Sequence, residues 1–437
     1  MTKLPAGLVD AGASSLATFV AGVAAVRLLD SSELGVYALF FSAWVLASQL
    51  PAQLILTPAE AELVHIPSQE RRTFLLRNST MALPVALLGS AAVLGVLLVV
   101  PQGVNPVTAR QLGATAALVA GLNPLQQHAR RLLHLSRSHW VAASAALVRL
   151  GVVSVVVAAG WNAGVSPGLL PFGSLAAGDL CALAFSLLIV QARRGQKLGY
   201  TARGLMRSGR WLLLGASMGP AAGFAVSLLV TNLADAGTLG LAEAARIAAQ
   251  PVTVLALGLA AVLRPSSMEA AIGGYRHEAR RLSRRFGLGL ALATLLYLGA
   301  VSLPESINPL QALVPNAFTS PGLVELSVVA AFFNGVVLLQ RAELIALGRT
   351  RQLAGANALA SSARTAPAFA SGALRVWTVA LGILLGGLVR WVSLSRVLAG
   401  SYEDRAEELA GGVTGSDDGG FKPHPGVPSH PDWSEET

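Results

Sequence analysis

The sequence predicts an all-α polytopic membrane protein of about twelve transmembrane helices, arranged as two parallel-repeat halves of six. Three observations carry this prediction. Hydrophobic residues make up 53% of the 437-residue chain and charged residues only 13%, with a mean hydropathy of +0.60; soluble domains carry roughly 25% charged residues. Apolar stretches of span length follow one another almost from end to end. The connectors between them alternate between arginine-rich and nearly charge-free, the pattern produced when all basic segments lie on the cytoplasmic side.

The spans are expected near 8–29, 34–56, 81–100, 108–126, 139–159, 168–190, 211–231, 238–262, 286–303, 322–346, 353–374 and 376–399. Most approach the ~20 residues that cross ~30 Å of hydrocarbon. The first is of full span length and lacks a clear small-residue cleavage site, so it reads as a membrane helix rather than a cleaved signal peptide. Arg71, Arg72 and Arg77 follow the second span, and Arg130, Arg131 and Arg137 the fourth. Arg193, Arg194, Lys197, Arg203, Arg207 and Arg210 follow the sixth. Arg264, Arg276, Arg280, Arg281, Arg284 and Arg285 follow the eighth, and Arg341, Arg349 and Arg351 mark the end of the tenth. The intervening connectors, such as DSSE and ADAGT, have almost no lysine or arginine. Both termini are therefore expected in the cytoplasm, with the chain in the cell membrane. The eleventh span is the weakest, with Asn357, Ser361, Ser362, Arg364 and Pro367. The alternation retains it, because without it Arg390 and Arg396 would point the wrong way. The domain reading is 1–200 and 201–400 for the two halves. Positions 401–437, polar and rich in glycine and proline, are expected as a disordered cytoplasmic tail.

Composition also excludes function classes. The net charge of +9 and pI near 10.5 belong to topology and not to nucleic acid, because no separate basic module stands apart from the spans. The single cysteine, Cys181, lies in an apolar span and offers neither a disulfide nor a metal cluster. His128, His134 and His139 surround one basic connector, but their spacing does not place three ligands on one helical face. No Gly-rich loop ending in Gly-Lys-Ser/Thr occurs, so nucleotide hydrolysis is not expected. No cofactor, metal or nucleic acid enters the reading, and the chain is not expected to be an enzyme.

An internal echo gives the repeat its direction. The segment FVAGVAAVRLLDSSELGVY from Phe19 aligns without gaps with FAVSLLVTNLADAGTLGLA from Phe224. Phe19 matches Phe224, Leu28 matches Leu233, Asp30 matches Asp235, Leu34 matches Leu239 and Gly35 matches Gly240. Each copy joins an outward span to the returning one. The predicted orientations agree, which makes the repeat parallel, about an axis along the membrane normal.

Ionisable groups deep in a span are costly and are functional suspects. Arg149 lies about ten residues into the fifth span, ~15 Å deep, and Asp179 reaches the same depth from the opposite side. Consecutive spans are usually neighbours, so an Arg149–Asp179 ion pair is expected. It serves either to lock two helices or to hold Arg149 ready for an anionic substrate. Glu243 and Arg246, three apart on one helical face, form a second expected pair. Arg364 is a third charge near the midplane. Arg27 reads as an outer-interface anchor, and Asp10 as a helix cap or a proton carrier. Arg130 and Arg131 read as positive-inside residues or as a cytoplasmic mouth that meets cargo phosphate. Pro51, Pro84, Pro124, Pro220 and Pro251 are candidate kinks.

The opening LVDAGASSLATFVAGVAAVRLLDSSELGVYALF, with Ser14, Ser15, Arg27, Glu33, Gly35 and Tyr37, resembles the first two helices of the polysaccharide-exporter branch of the multidrug/oligosaccharidyl-lipid/polysaccharide flippase superfamily. NPLQQHARRLLHLSRSHWVAA is similar to that branch's connector after the fourth helix. GTLGLAEAARIAAQPVTVLALGLAAVLRP is similar to its eighth helix, with an exit at Arg264 and Pro265. The resemblance covers most of the chain diffusely, and the eleventh and twelfth helices depart from it. It implies two six-helix halves around a central cavity, open alternately to either side, that move a lipid-linked oligosaccharide or polysaccharide precursor across the membrane. Under that implication Arg149, Arg246 and Arg364 would grip the cargo's phosphate, since guanidinium binds phosphate bidentately. Asp179 and Glu243 would serve as ion-pair or coupling carboxylates. The implied partners are the lipid-linked glycan and membrane lipids, with the chain acting as a monomer or beside glycan-assembly proteins. An ion-coupled multidrug or metabolite antiporter and a membrane-embedded glycan-processing enzyme are the alternatives.

Overall fold

The computed structural model describes residues 3–414 apart from 64–65, 102, 191–199, 305–306, 309, 311–313, 316–317 and 319. Among the described residues the chain forms twelve helical rods. They are α1 (Lys3–Leu28), α2 (Ser31–Glu62), α3 (Arg72–Val99), α4 (Pro106–Leu135), α5 (His139–Asn162) and α6 (Leu170–Ile189). In the second half, α7 is Ala202–Leu233 and α8 comprises Ala236–Ala248 and Gln250–Ile272. They are followed by α9 (Arg276–Val301), α10 (Leu323–Ala346), α11 (Thr350–Thr365, Ala366–Ala370 and Ser371–Leu374) and α12 (Trp377–Thr414). Ten helices are long and apolar enough to cross a membrane; α4 and α11 fall short by composition. Their outer faces present large aliphatic side chains, with Leu88 67%, Leu188 84% and Leu296 68% exposed. Such a surface is stable against lipid and not against water.

Most rods outrun the expected spans, and this changes the place of the arginines. Arg72 and Arg77 in α3, Arg130 and Arg131 in α4, Arg203, Arg207 and Arg210 in α7, and Arg276 to Arg285 in α9 all lie on helical turns rather than in loops. Arginine is a good helix former, so the helices continue through these basic turns. The α8 helix also runs beyond the expected exit at Arg264 and Pro265, through the proline, to Ile272. The α12 helix runs past position 401, where a tail was expected, to Thr414; positions 415–437, and Arg193, Arg194 and Lys197, lie outside the described residues. Two rods are jointed. In α2 a π-helical turn at Ala52–Leu56 follows Pro51. In α8 the two segments meet at Ala249, with Pro251 in the first turn of the second.

The packing partners of the first half recur in the second after an offset of six helices. In the first half α1 packs on α5, α2 on α3 and α4, α3 on α4, α4 on α6, and α5 on α6. In the second, α7 packs on α11, α8 on α9 and α10, α9 on α10, α10 on α12, and α11 on α12. The halves meet where α1 and α2 contact α8, and where α2 contacts α7.

The tightest meeting uses the echo found in the sequence. Asp30 caps α2 by accepting from the Glu33 amide at 2.8 Å, and Glu33 completes a capping box. Asp235 caps α8 by accepting from the Thr238 amide and hydroxyl, both at 2.7 Å. Partial burial pushes the Asp235 carboxyl up, but hydrogen bonds from Thr238 and Gly237, together with Arg375, outweigh it and hold the group below its ordinary range. A Cβ on Gly35 would overlap the Ala236 carbonyl, and a Cβ on Gly240 would overlap the Ser31 carbonyl. The contact is reciprocal. Each helix start rests its backbone on the matched glycine of the other half, as small residues permit in membrane helices.

Gly35→Val and Gly240→Val should each lower stability by about 1–3 kcal/mol, the range for overpacking a tight contact. Gly289→Val, where an added Cβ meets nothing within 4 Å, should be tolerated. Thermal unfolding of the purified protein in detergent or lipid nanodiscs measures the difference.

Candidate functional site: a basic cavity in the second half

The first segment of α8 runs from the glycine contact along the inner face of α2. Six residues beyond each glycine, about one and two-thirds turns on, stand Phe41 and Arg246. The Arg246 guanidinium carbon lies 4.6 Å from the centroid of the Phe41 ring, a cation–π contact. Glu243, one turn earlier, accepts from Arg246 through both carboxylate oxygens, at 2.7 and 2.6 Å. The expected Glu243–Arg246 pair thus forms, and it forms at the wall of a cavity.

That cavity has a volume of about 370 Å³. Its walls are α2 (Phe41, Ser42), a small-residue face of α7 (Gly215, Gly219, Gly223), α8 (Glu243, Arg246), α10 (Arg341), α11 (Asn357, Arg364) and α12 (Arg390). Glycines make room for Arg364. A Cβ at Gly386 would stand 2.9 Å from the Arg364 Cβ, and one at Gly223 would stand 3.2 Å from its terminal nitrogen. Four arginines therefore face one carboxylate, and that carboxylate is already taken up by Arg246. Arg341, Arg364 and Arg390 have no acidic partner among the described residues, and the Nε atoms of Arg364 and Arg390 are buried without a hydrogen-bond acceptor. A cluster of like charges in a low-dielectric site draws in an anion.

Two chambers adjoin it. One, of about 250 Å³, shares Arg246, Arg364, Val379 and Ile383, and adds the neutral polar groups Gln250, Thr253, Ser327 and Asn334. The other, of about 570 Å³, lies behind the wall formed by α2 and α7. It is lined almost wholly by apolar side chains of α2, α3 and α7, including Leu46, Val93, Leu214 and Phe224.

The structure brings two of the three expected phosphate ligands, Arg246 and Arg364, to the cavity, and it places Arg149 elsewhere. Arg149 is 1% exposed. Its Nε donates to Asp179 at 2.5 Å, and a terminal nitrogen donates to the Ser14 carbonyl at 3.0 Å. Asn123 donates to the other Asp179 oxygen at 3.1 Å. The pair thus ties α1, α4, α5 and α6 together, and it does not line the cavity. Arg130 and Arg131 are engaged as well: Arg130 lies 3.4 Å from Asp10, and Arg131 3.5 Å from Glu60. Asp10 sits two turns inside α1, so it is no cap; its second oxygen lies 3.0 Å from His134 Nε2. Arg27 is exposed in the last turn of α1. Sequence reasoning missed Arg341 and Arg390, which had been used only to orient the chain. The signal was present for Arg390, which lies well inside the last apolar span.

No family model matches the sequence, and neither does any curated protein. Solved structures do match the fold. An inward-facing multidrug resistance MATE family transporter of the MOP superfamily aligns with a TM-score of 0.64 at 14% identity, over 90% of this chain and 96% of that one. A MATE protein in the straight conformation gives 0.61 at 12% identity, over 92% and 96%. A MOP superfamily transporter from Pyrococcus furiosus Vc1 (DSM3638), described by a reversed polarity of its binding pocket that suggests a different function, gives 0.58 at 13%, over 92% and 95%. The chain has the two-halved helical fold of these transporters.

Two outcomes are expected. Asp179→Asn alone should cost about 3–5 kcal/mol, because it strands a buried cation, whereas Arg149→Met combined with Asp179→Asn should cost less; thermal unfolding of the single and double variants checks this. Inorganic pyrophosphate should raise the unfolding temperature of the wild type, through binding to the native state. Arg364→Gln and Arg390→Gln should each weaken that response.

Proposed function

We propose that the chain is a membrane transporter that moves a lipid-linked oligosaccharide or polysaccharide precursor across the cell membrane by alternating access between its two halves. Both termini and the arginine-rich ends of the helices would face the cytoplasm. The observation that carries this reading is the set of unneutralised arginines, Arg341, Arg364 and Arg390, beside Arg246 in an intramembrane cavity. Charge at that depth is retained where a ligand or pathway uses it, and planar guanidinium groups suit phosphate or pyrophosphate. The adjoining chambers fit the rest of such a cargo. Gln250, Thr253, Ser327 and Asn334 offer neutral hydrogen bonds for sugar hydroxyls, and the recess between α2, α3 and α7 offers an apolar surface for the lipid chain.

A second reading, an ion-coupled multidrug or metabolite antiporter, is favoured by the described activity of the first fold neighbour. The sign of the cavity separates the two. Four arginines against a paired glutamate repel a cationic drug and attract an anionic head group. One neighbour's pocket polarity is itself taken to suggest a different function for that protein, and a basic cavity here is an argument of the same kind.

The test is reconstitution into liposomes with a fluorescent polyprenyl-diphosphate sugar, its transfer between leaflets followed by accessibility to a membrane-impermeant quencher. Wild type should accelerate transfer. Arg364→Gln and Arg390→Gln should each reduce binding roughly 10–100-fold, the equivalent of a charge-assisted hydrogen bond of about 1.5–3 kcal/mol. Absence of transfer, together with ion-gradient-driven efflux of a cationic dye, would establish the antiporter instead.

A further inference from the structure

The histidines around the basic end of α4 remain unaccounted for by the cavity, and one of them sits in a fully specified hydrogen-bond chain. His128 is 1% exposed and Asn78 is 0% exposed. His128 Nδ1 lies 2.8 Å from Glu60 Oε1, at the last turn of α2. His128 Nε2 lies 3.3 Å from the amide nitrogen of Asn78 on α3. The Asn78 carbonyl oxygen accepts from the Tyr200 hydroxyl at 2.9 Å. Tyr200 stands just ahead of α7, where the chain enters the second half.

With the Asn78 oxygen turned toward Tyr200, these contacts set the direction of each bond. A carboxylate only accepts and an amide nitrogen only donates. His128 must therefore carry its proton on Nδ1, toward Glu60, and receive the Asn78 amide at Nε2. Tyr200 then donates to Asn78. The charged and titratable groups around this chain are Glu60 and Glu62 on α2, Arg77 on α3, Arg131 on α4 and Tyr200 itself. Burial, helped by Glu62 and opposed by the Asn78 bond and Arg77, pushes the Tyr200 hydroxyl up to about 12, so it stays a donor.

A second proton on His128 would place an N–H on Nε2, facing an NH₂ group. The conflict is relieved in one way within the chain: the Asn78 amide turns over. Its oxygen then accepts from Nε2, and its nitrogen donates to the Tyr200 oxygen. The Tyr200 proton loses its acceptor, and the bond at the entry of α7 reverses. We propose that His128 is a proton-binding site whose occupancy is transmitted, through reversal of the Asn78 amide, to Tyr200 at the start of the second half. The ligand is a proton taken up from the arginine-rich side, where Glu60, 13% exposed in its side chain, borders the surface. The site is independent of the cargo. It offers the two-halved fold a place where pH biases the junction between halves, the kind of local charge event that drives switching elsewhere. His134, bound to Asp10 and His139, forms a separate cluster.

The experiment is NMR of the full chain in lipid nanodiscs, with ¹⁵N-labelled histidine rings and ¹³C-labelled tyrosine. The His128 and Tyr200 signals are assigned by their loss in His128→Gln and Tyr200→Phe. The expected result is that the Tyr200 carbon resonance moves with the same midpoint as protonation of His128, and that this movement is missing in His128→Gln but kept in His134→Gln. Tyr200→Phe, which releases the Asn78 amide, should move the His128 midpoint to higher pH by about 0.5–1 unit, the worth of one hydrogen bond. Asn78→Asp, which supplies an acceptor to Nε2, should move it further in the same direction. A midpoint unmoved by both variants, or a Tyr200 signal indifferent to His128, overturns the proposal whether or not the protein transports a lipid-linked glycan.

Discussion

The reciprocal seat of Gly35 on the Ala236 carbonyl and of Gly240 on the Ser31 carbonyl is the constraint from which the interior follows. Each glycine admits the other half's helix start at backbone distance, and each start is held in place by its own aspartate cap. Because the contact is reciprocal, positions equivalent in the two copies must face one another along α2 and α8. Phe41 and Arg246 are such a pair, and they stack. A phenylalanine in one half therefore supports the arginine that stands in its place in the other. The wall of the basic cavity is set by the same crossing that joins the halves.

The two halves repeat in packing but not in charge. The first half pairs its buried charges, Arg149 with Asp179 and Asn123 and Arg130 with Asp10, and also its exposed Arg131 with Glu60. Each pair crosses between helices, so its energy goes into holding the half together, and breaking one would strand a charge. The second half brings Arg341, Arg364 and Arg390 to one cavity without, among the described residues, a carboxylate for any of them. Under the proposed function, an anionic head group meets that electrostatic need. In this division the first half is braced by its own ion pairs, and the second carries the basic cavity, walled on one side by α2 from across the boundary.

The joints in the rods stand at the boundary between the halves. The π-turn of α2 at Ala52–Leu56 packs against α7, and the break of α8 at Ala249 lies just beyond Arg246. Local departures from α-helical hydrogen bonding are where helices bend. Both joints belong to helices that form the cavity wall.

The sequence by itself determined the architecture. Hydrocarbon thickness fixes how long an apolar stretch must be, and arginine placement fixes how the stretches alternate, so twelve helices and a parallel repeat could be read from one-dimensional spacing. It also exposed Arg149 with Asp179 and Glu243 with Arg246, because charge deep in a span is rare, and neighbouring spans or a single turn bring such charges together. The helix ends beyond the apolar spans were not legible, since apolar length says nothing of how far a helix continues past its last apolar turn. Tertiary structure alone decided which charges share a space. Arg246, Arg341, Arg364 and Arg390 come from four different helices, and no spacing along the chain relates them. Arg149 looked equivalent to Arg246 and Arg364 by depth, yet it faces its own half. Depth is a property of sequence position, whereas the direction a helix face takes is set by the helices packed around it.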